Sequence, residues 1–217
     1  MDGITIQKRI YAGRAKAALR IGLACSLYRP ISVASPLGNF ITTMNAAFNA
    51  GDSTYRRPNL YDDPIWYADL DGSLTRPGDY LVRVSDSATW FVAAQQQLLP
   101  IVCIDCNRSV RITRQKPLTA VGAVGYGGMA PANEVDVLGG AGVLWPASIL
   151  SGVKKEAGAG LPAGVSNIAW KILLPPSVAV ILSAGDIATD DLGRRYAIFG
   201  AELTDLGWRM NAYEVHS

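Results

Sequence analysis

With 217 residues, 49% hydrophobic and only 18% charged, the chain can bury a core and hold one or two globular domains. A formal net charge of +2 gives no strong pull toward nucleic acid or anionic membrane, and three cysteines, an odd number, exclude a closed disulfide framework and suit a reducing cytoplasm. The opening Met1-Asp2-Gly3-Ile4 is not a signal peptide, and the most apolar run, Ile172 to Ala184, is broken by Pro175-Pro176 and too short for a bilayer, so a soluble chain without a membrane partner is expected.

In chain order, an apolar stripe of Ile10, Ala17, Ile21, Ala24 and Tyr28 predicts a helix from Ile4 to Tyr28, with Arg9, Lys16 and Arg20 off the stripe. Arg29-Pro30 ends it, because the residue before proline is pushed out of the helical region. Phe40, Met44, Ala47 and Phe48 recur at helical spacing and predict a second helix over Leu37 to Asn49. Residues 1–50 therefore read as an N-terminal helical segment. The Tyr-, Asp-, Pro- and Arg-rich stretch Asp52 to Asp71, with Arg56 and Arg57, reads as a surface connection entering a strand at Ile65 to Ala68.

Residues 51–116 form the first predicted β unit and 165–217 the second. Gly78-Asp79 opens one run of short strands and Gly185-Asp186 another. Trp90-Phe91-Val92 answers Tyr196-Ala197-Ile198, Val102-Cys103-Ile104 answers Leu206-Gly207-Trp208, and Trp66 and Trp170 lead the apolar segments before each Gly-Asp. An internal repeat of two similar all-β units explains the pattern. Ile101 to Thr113 alternates as one long half-buried strand, with Val102, Ile104, Cys106, Val110 and Ile112 on one face and Asp105 among the polar residues of the other. Between the units, residues 117–164 are rich in glycine and read as an extended arm, dispensable for folding and needed for assembly, with Trp145 to Leu150 apolar enough to dock. The expected fold is thus mainly β with N-terminal helices (α+β), two small antiparallel barrels or sandwiches joined by the arm.

No motif carries a convincing active site. The only histidine, His216, stands one residue from the end. Cys103 and Cys106 have C-x-x-C spacing, yet residues three apart on a strand face opposite ways, so buried structural thiols are expected rather than a metal site. Asp69-Leu70-Asp71-Gly72 lacks the further ligands of a calcium loop and reads as a turn. Glu202 with Asp205, and Asp190 with Asp191, are the carboxylate pairs a hydrolase would use, and turn formation is the simpler role for them.

Gly185-Asp186-Ile187, then Asp190 to Ile198, then Gly207-Trp208-Arg209-Met210, is similar to the small β-barrels of tailed-phage head–tail adaptor and head-completion proteins. The order of a basic N-terminal helix, Tyr28-Arg29-Pro30, Gly78 to Val82, Trp90 to Gln95 and Leu98 to Ile101 also resembles phage structural-module proteins. The resemblance spans residues 4–114 and 166–215. It implies a non-enzymatic virion protein of the head–tail connector or proximal tail, without cofactor or metal, that forms a homo-oligomeric ring. Its implied partners are portal or tail rings, with double-stranded DNA passing non-specifically through the channel. Arg9, Lys16, Arg20, Arg56, Arg57, Trp145, Arg194 and Arg195 are the expected subunit contacts. A tail-tip module reading carbohydrate through Trp66, Trp90 or Trp208 is the alternative, and it requires one of these tryptophans to be exposed.

Overall fold

The computed structural model describes residues 2–49, 63–116, 133–140, 142–152 and 169–215. One helix, α1 (Gly3–Ile21), precedes thirteen strands. Six of them, β1 (Leu23–Tyr28), β2 (Phe40–Asn49), β3 (Ile65–Asp69), β4 (Tyr80–Arg83), β5 (Thr89–Ala94) and β6 (Ile101–Cys106), close a barrel in the order β1-β2-β3-β6-β5-β4. The other seven are β7 (Arg108–Gln115), β8 (Glu134–Leu138), β9 (Trp145–Ser151), β10 (Ala169–Leu174), β11 (Ile187–Asp190), β12 (Arg195–Thr204) and β13 (Gly207–Val215). They form a sheet in the order β11-β12-β13-β10-β9-β7-β8, and a further pairing of β11 with β7 closes six of them into a second ring. Among the described residues every strand of each ring has a neighbour on both sides, while β8 has one, β7.

Several sequence expectations change here. The first helix stops at Ile21, because Gly22 follows and Cys25 and Leu27 then alternate inward as β1, with Leu23 exposed at its start. A Cβ at Gly22 would lie 2.6 Å from the Ala18 carbonyl oxygen and 2.7 Å from that of Ala46, so only glycine lets the helix end against β2. The helix also packs through Tyr11 and Ala18 rather than through Ile21, which is exposed. The predicted second helix is strand β2: Met44 and Ala46 alternate into the barrel, and pairing with both β1 and β3 overrides the helical spacing of the apolar residues. Within the predicted arm, residues 134–138 and 145–151 are strands β8 and β9, with Trp145, Ala147 and Ile149 in the core. A deletion of 117–164 would therefore remove part of the second ring; residues 117–132, 141 and 153–164 of that arm lie outside the described residues. The single long strand is two, β6 and β7, and Asn107 between them is where the chain leaves one ring for the other.

The internal repeat has a structural counterpart, because the connectivity is the same twice. Strands β1, β2, β3, β4, β5 and β6 correspond to β7, β9, β10, β11, β12 and β13, with β8 as an addition to the second ring. The register agrees residue by residue. Trp90 lies opposite Asp105 and Val92 opposite Cys103, as Tyr196 lies opposite Glu214 and Ile198 opposite Ala212. Each hairpin then carries an irregularity at the same place, between Val92 and Ala94 and between Ile198 and Gly200. Trp66 and Trp170 also correspond, lying opposite Cys103 and Ala212. The sequence match of Val102-Cys103-Ile104 with Leu206-Gly207-Trp208 is displaced, because β12 has 10 residues where β5 has 6 and the later hairpin is longer.

Each ring is locked by one arginine–aspartate fork. Arg29 donates from Nε and Nη2 to the Asp79 carboxylate at 2.8 and 2.8 Å, and Nη2 also reaches the Leu74 carbonyl. Arg114 donates likewise to Asp186 at 2.6 and 2.9 Å and to the Ile181 carbonyl. Both aspartates are 1% exposed, and each accepts one more bond, from the backbone N–H of Arg76 or of Ser183. The glycine before each aspartate has φ near +94° or +93°, a conformation glycine adopts without a Cβ penalty.

The rings share a core. Tyr80, Phe91 and Ile104 of the first cluster with Val110, Trp145 and Ile172 of the second. The Tyr80 hydroxyl donates to the Pro146 carbonyl at 2.8 Å, the Ser177 hydroxyl to the Gly78 carbonyl at 2.8 Å, and the Asn107 side chain forms two bonds with the backbone of Ile149. Strand β6 is thereby covered on both faces: Ile101 and Cys103 point into the first ring, and Ile104 into the shared core. Trp208 is buried in that core, so Trp208→Ala is expected to cost about 3–5 kcal/mol in urea unfolding. A change near zero would place it on the surface.

Candidate functional site

The described residues offer two features with a chemistry of their own, the outer face of α1 and the open end of the first barrel. Helix α1 carries Lys8, Arg9, Arg14, Lys16 and Arg20 and no acidic residue; its only acidic neighbour, Asp2, caps the N-terminus by accepting from the Thr5 N–H at 2.8 Å. Lys8, Arg9, Lys16 and Arg20 are exposed and form no ion pair with any described residue. Exposed Leu19 shares this outer surface. The inner face is held by Tyr11, whose hydroxyl accepts from Gln95 Nε2 at 2.9 Å, and by Ala18.

The other expected contact residues divide. Arg194 is exposed, and Arg56 and Arg57 lie outside the described residues. Arg195 is half-buried on the face of β12 opposite Tyr196, bonded through Nη2 to Glu134 of β8. Trp145 is 1% exposed, and its indole N–H donates to the Val33 carbonyl at 2.7 Å. It is a core residue of the chain rather than a surface that meets another subunit.

The carboxylate pairs do not converge. Asp190 is buried and accepts from the backbone N–H groups of Leu192 and Arg194 and from the Tyr196 hydroxyl, which is turn chemistry. Glu202 pairs with Arg209 across the last hairpin, and Asp205 lies exposed in its turn. Asp71 accepts from the backbone and hydroxyl of Ser73, again a turn. Cys103 is inside the first barrel, while Cys106 packs against the shared core, so the two thiols face apart. Burial pushes the Cys25 thiol up to about 11 and raises Cys103 further. Among the described residues no group of three or more His, Cys, Asp or Glu side chains is placed to hold a metal ion, and no helix is long and apolar enough to cross a membrane.

The first barrel ends, opposite the Arg29–Asp79 fork, in a cavity of about 630 Å³ lined by Leu23, Phe48, Trp66, Arg83, Trp90 and Asp105 among others. Alternation puts these side chains on the inner face of their strands. Phe48 stacks on Trp90 with ring centroids 4.0 Å apart, and the Arg83 guanidinium carbon lies 5.0 Å from the Trp90 centroid. Arg83 is neutralised by Asp86, which accepts its Nε and Nη2 at 2.7 and 2.6 Å. Asp105 is half-buried, and its carboxylate has no hydrogen bond or ion pair from any described residue. The indole N–H groups of Trp66 and Trp90, both buried, also find no acceptor among the described residues. Burial raises the Asp105 carboxyl above its ordinary value, and the Arg83 charge opposes this only in part.

The second barrel uses the same positions differently. Asp190 stands where Arg83 does and Tyr196 where Trp90 does, and the Tyr196 hydroxyl reaches Asp190 Oδ2 at 3.1 Å while its ring meets Trp170 edge-on at 5.7 Å. Asp190 and Tyr196 satisfy each other, while Glu214, the counterpart of Asp105, has no hydrogen bond or ion pair from any described residue. In the first barrel the acid is left facing the cavity.

No protein-family model matches the chain, and no curated protein or solved structure matches it either.

A neutral isostere at position 105 tests this electrostatic reading. An acid raised by burial favours its protonated form in the fold. Its contribution to stability is complete below the unfolded carboxylate pKa and is lost as pH rises through the higher folded value. Asp105→Asn is therefore expected to melt above the wild type at pH 7, with the difference closing near about pH 3. A variant that melts below the wild type at pH 7 would mean that Asp105 has a partner stabilising its charge.

Proposed function

We propose that the chain is a structural protein of a tailed-phage virion, seated in the head–tail connector or proximal tail. There it assembles as a ring, binds portal or tail rings and lengthens a channel through which DNA passes unread. The observation that carries the reading is the row of unpaired cations on α1, borne on the outside of a doubly closed β body. A rigid body with closed sheets resists edge-to-edge polymerisation and leaves association to its surfaces, as a ring of heterologous contacts requires. An all-positive helix face suits phosphates or an acidic neighbouring subunit, neither of which needs base-specific contacts. The resemblance of the Gly-Asp strands and the final hairpin to head–tail adaptor barrels supports the same role.

The carbohydrate-binding alternative required an exposed tryptophan. All five tryptophans are described and none is exposed; Trp66 and Trp170 are half-buried and the other three buried. Among the described residues no exposed tryptophan supports that reading.

Two experiments follow. A phage lacking the gene is expected to accumulate DNA-filled heads and separate tails; infectious particles of normal morphology would end the proposal. The charge-reversed chain Arg9→Glu/Lys16→Glu/Arg20→Glu is expected to keep its melting temperature within a few degrees, since each site is exposed and unpaired. It is expected to lose assembly, read as the share of particles that join heads to tails in a complementation assay. Complementation at the wild-type level would remove α1 from the interface.

A further inference from the structure

We propose that the open end of the first barrel is a binding site for an organic cation, the guanidinium or ammonium group of a basic side chain or small amine. Three observations converge on that chemistry. The Asp105 carboxylate faces the cavity without a partner among the described residues, and the cation among the described lining residues, Arg83, is already held by Asp86. Arg83, Asp86 and Asp105 together leave one uncompensated negative charge at the rim. Beside it stands Trp66, and the Trp90 ring, stacked on Phe48, already carries one guanidinium, that of Arg83, over its face. Helix α1 ends at the same rim through Ile21, and the carbonyl end of a helix carries partial negative charge.

The duplicated architecture offers a comparison. At the positions of Trp90 and Arg83 the second barrel has Tyr196 and Asp190, which bond to each other, whereas in the first barrel Arg83 turns to Asp86. The counterpart of Asp105 is another acid, Glu214. Keeping a half-buried ionised carboxylate costs stability, and a bound cation would supply both the missing charge and the missing donors. The inference does not depend on the virion reading and can fail or hold separately from it.

The test titrates the full chain with n-butylguanidinium and, in parallel, with the neutral look-alike n-butylurea, following tryptophan fluorescence and binding heat. Saturable binding of the guanidinium, at least about tenfold tighter than the urea and weakened about tenfold or more in Asp105→Asn, is the expected result. Equal binding of the two probes, no saturable binding of the cation, or full affinity in folded Asp105→Asn would overturn it. The comparison of probes on the wild type decides even if the variant does not fold. Sedimentation of the same samples separates the sources of the cation. Self-association dispersed by butylguanidinium and absent in Asp105→Asn names a basic side chain of a second copy. Guanidinium binding with no change in mass names a free organic cation.

Discussion

Replacing Trp145 with alanine is expected to destabilise the chain by about 3–5 kcal/mol, as much as the loss expected for Trp208→Ala. The indole is 1% exposed, meets Tyr80 edge-on with centroids 6.2 Å apart, and donates to the Val33 carbonyl. It therefore ties three things at once: strand β9 of the second ring, the residue of the first ring that reaches across to Pro146, and the loop between β1 and β2. Truncation opens a cavity in the shared core and leaves a carbonyl without its donor. Trp145→Phe keeps much of the volume and loses the N–H, so its cost should be nearer 1–2 kcal/mol, again as an order of magnitude. Urea unfolding followed by fluorescence measures both. A loss under about 1 kcal/mol for Trp145→Ala would contradict the shared core and return Trp145 to a surface that meets another subunit.

The second large effect belongs to the arginine–aspartate forks. Arg29→Ala leaves Asp79, 1% exposed, without its bidentate partner, and breaking a buried pair from one side costs about 3–5 kcal/mol. Arg114→Ala breaks the equivalent fork on Asp186. Its arginine side chain is 43% exposed against 23% for Arg29, so water substitutes for it more readily and a smaller loss, about 2–3 kcal/mol, is expected. The signature of equivalence lies in the cycles rather than in the single values. Asp79→Ala with Arg29→Ala, and Asp186→Ala with Arg114→Ala, should each lose less than the sum of their parts. Additive losses at either fork would show that the bond there contributes nothing to stability.

The Gly-Asp steps were legible in the sequence because their chemistry is local. A glycine in the left-handed region and an aspartate bonding the backbone three residues earlier leave the same short pattern each time, at 78–79 and at 185–186. Trp66, Trp90, Trp170 and Tyr196 could be matched as well, being bulky aromatics in the same order around those steps. What fails is what depends on pairing between distant segments. The spacing of Phe40, Met44, Ala47 and Phe48 satisfies a helix and a strand alike, and only the presence of β1 and β3 on its two edges decides for β2. Trp145, Ala147 and Ile149 alternate as a strand should, yet the surrounding glycines hid a core segment inside a supposed arm.

The cavity was illegible for a related reason. Asp105 alternates with apolar neighbours, so one polar face of β6 was assigned to solvent. In the fold that strand is covered on both sides, and the carboxylate points into a barrel. A polar residue on a strand whose other inward positions are Ile101 and Cys103 is the signal that would have marked it. Of the surface residues expected to carry contacts, those on α1 stand out toward solvent as their place off the apolar stripe implied, whereas Trp145 and Arg195 are engaged within the chain.

The proposed assembly role is tested most directly by the mass of the purified chain in solution, measured by light scattering with and without the portal ring of the same phage. A closed ring, or a monomer that becomes one only on the portal, is the predicted result. A monomer whose mass is indifferent to the portal would contradict the connector reading.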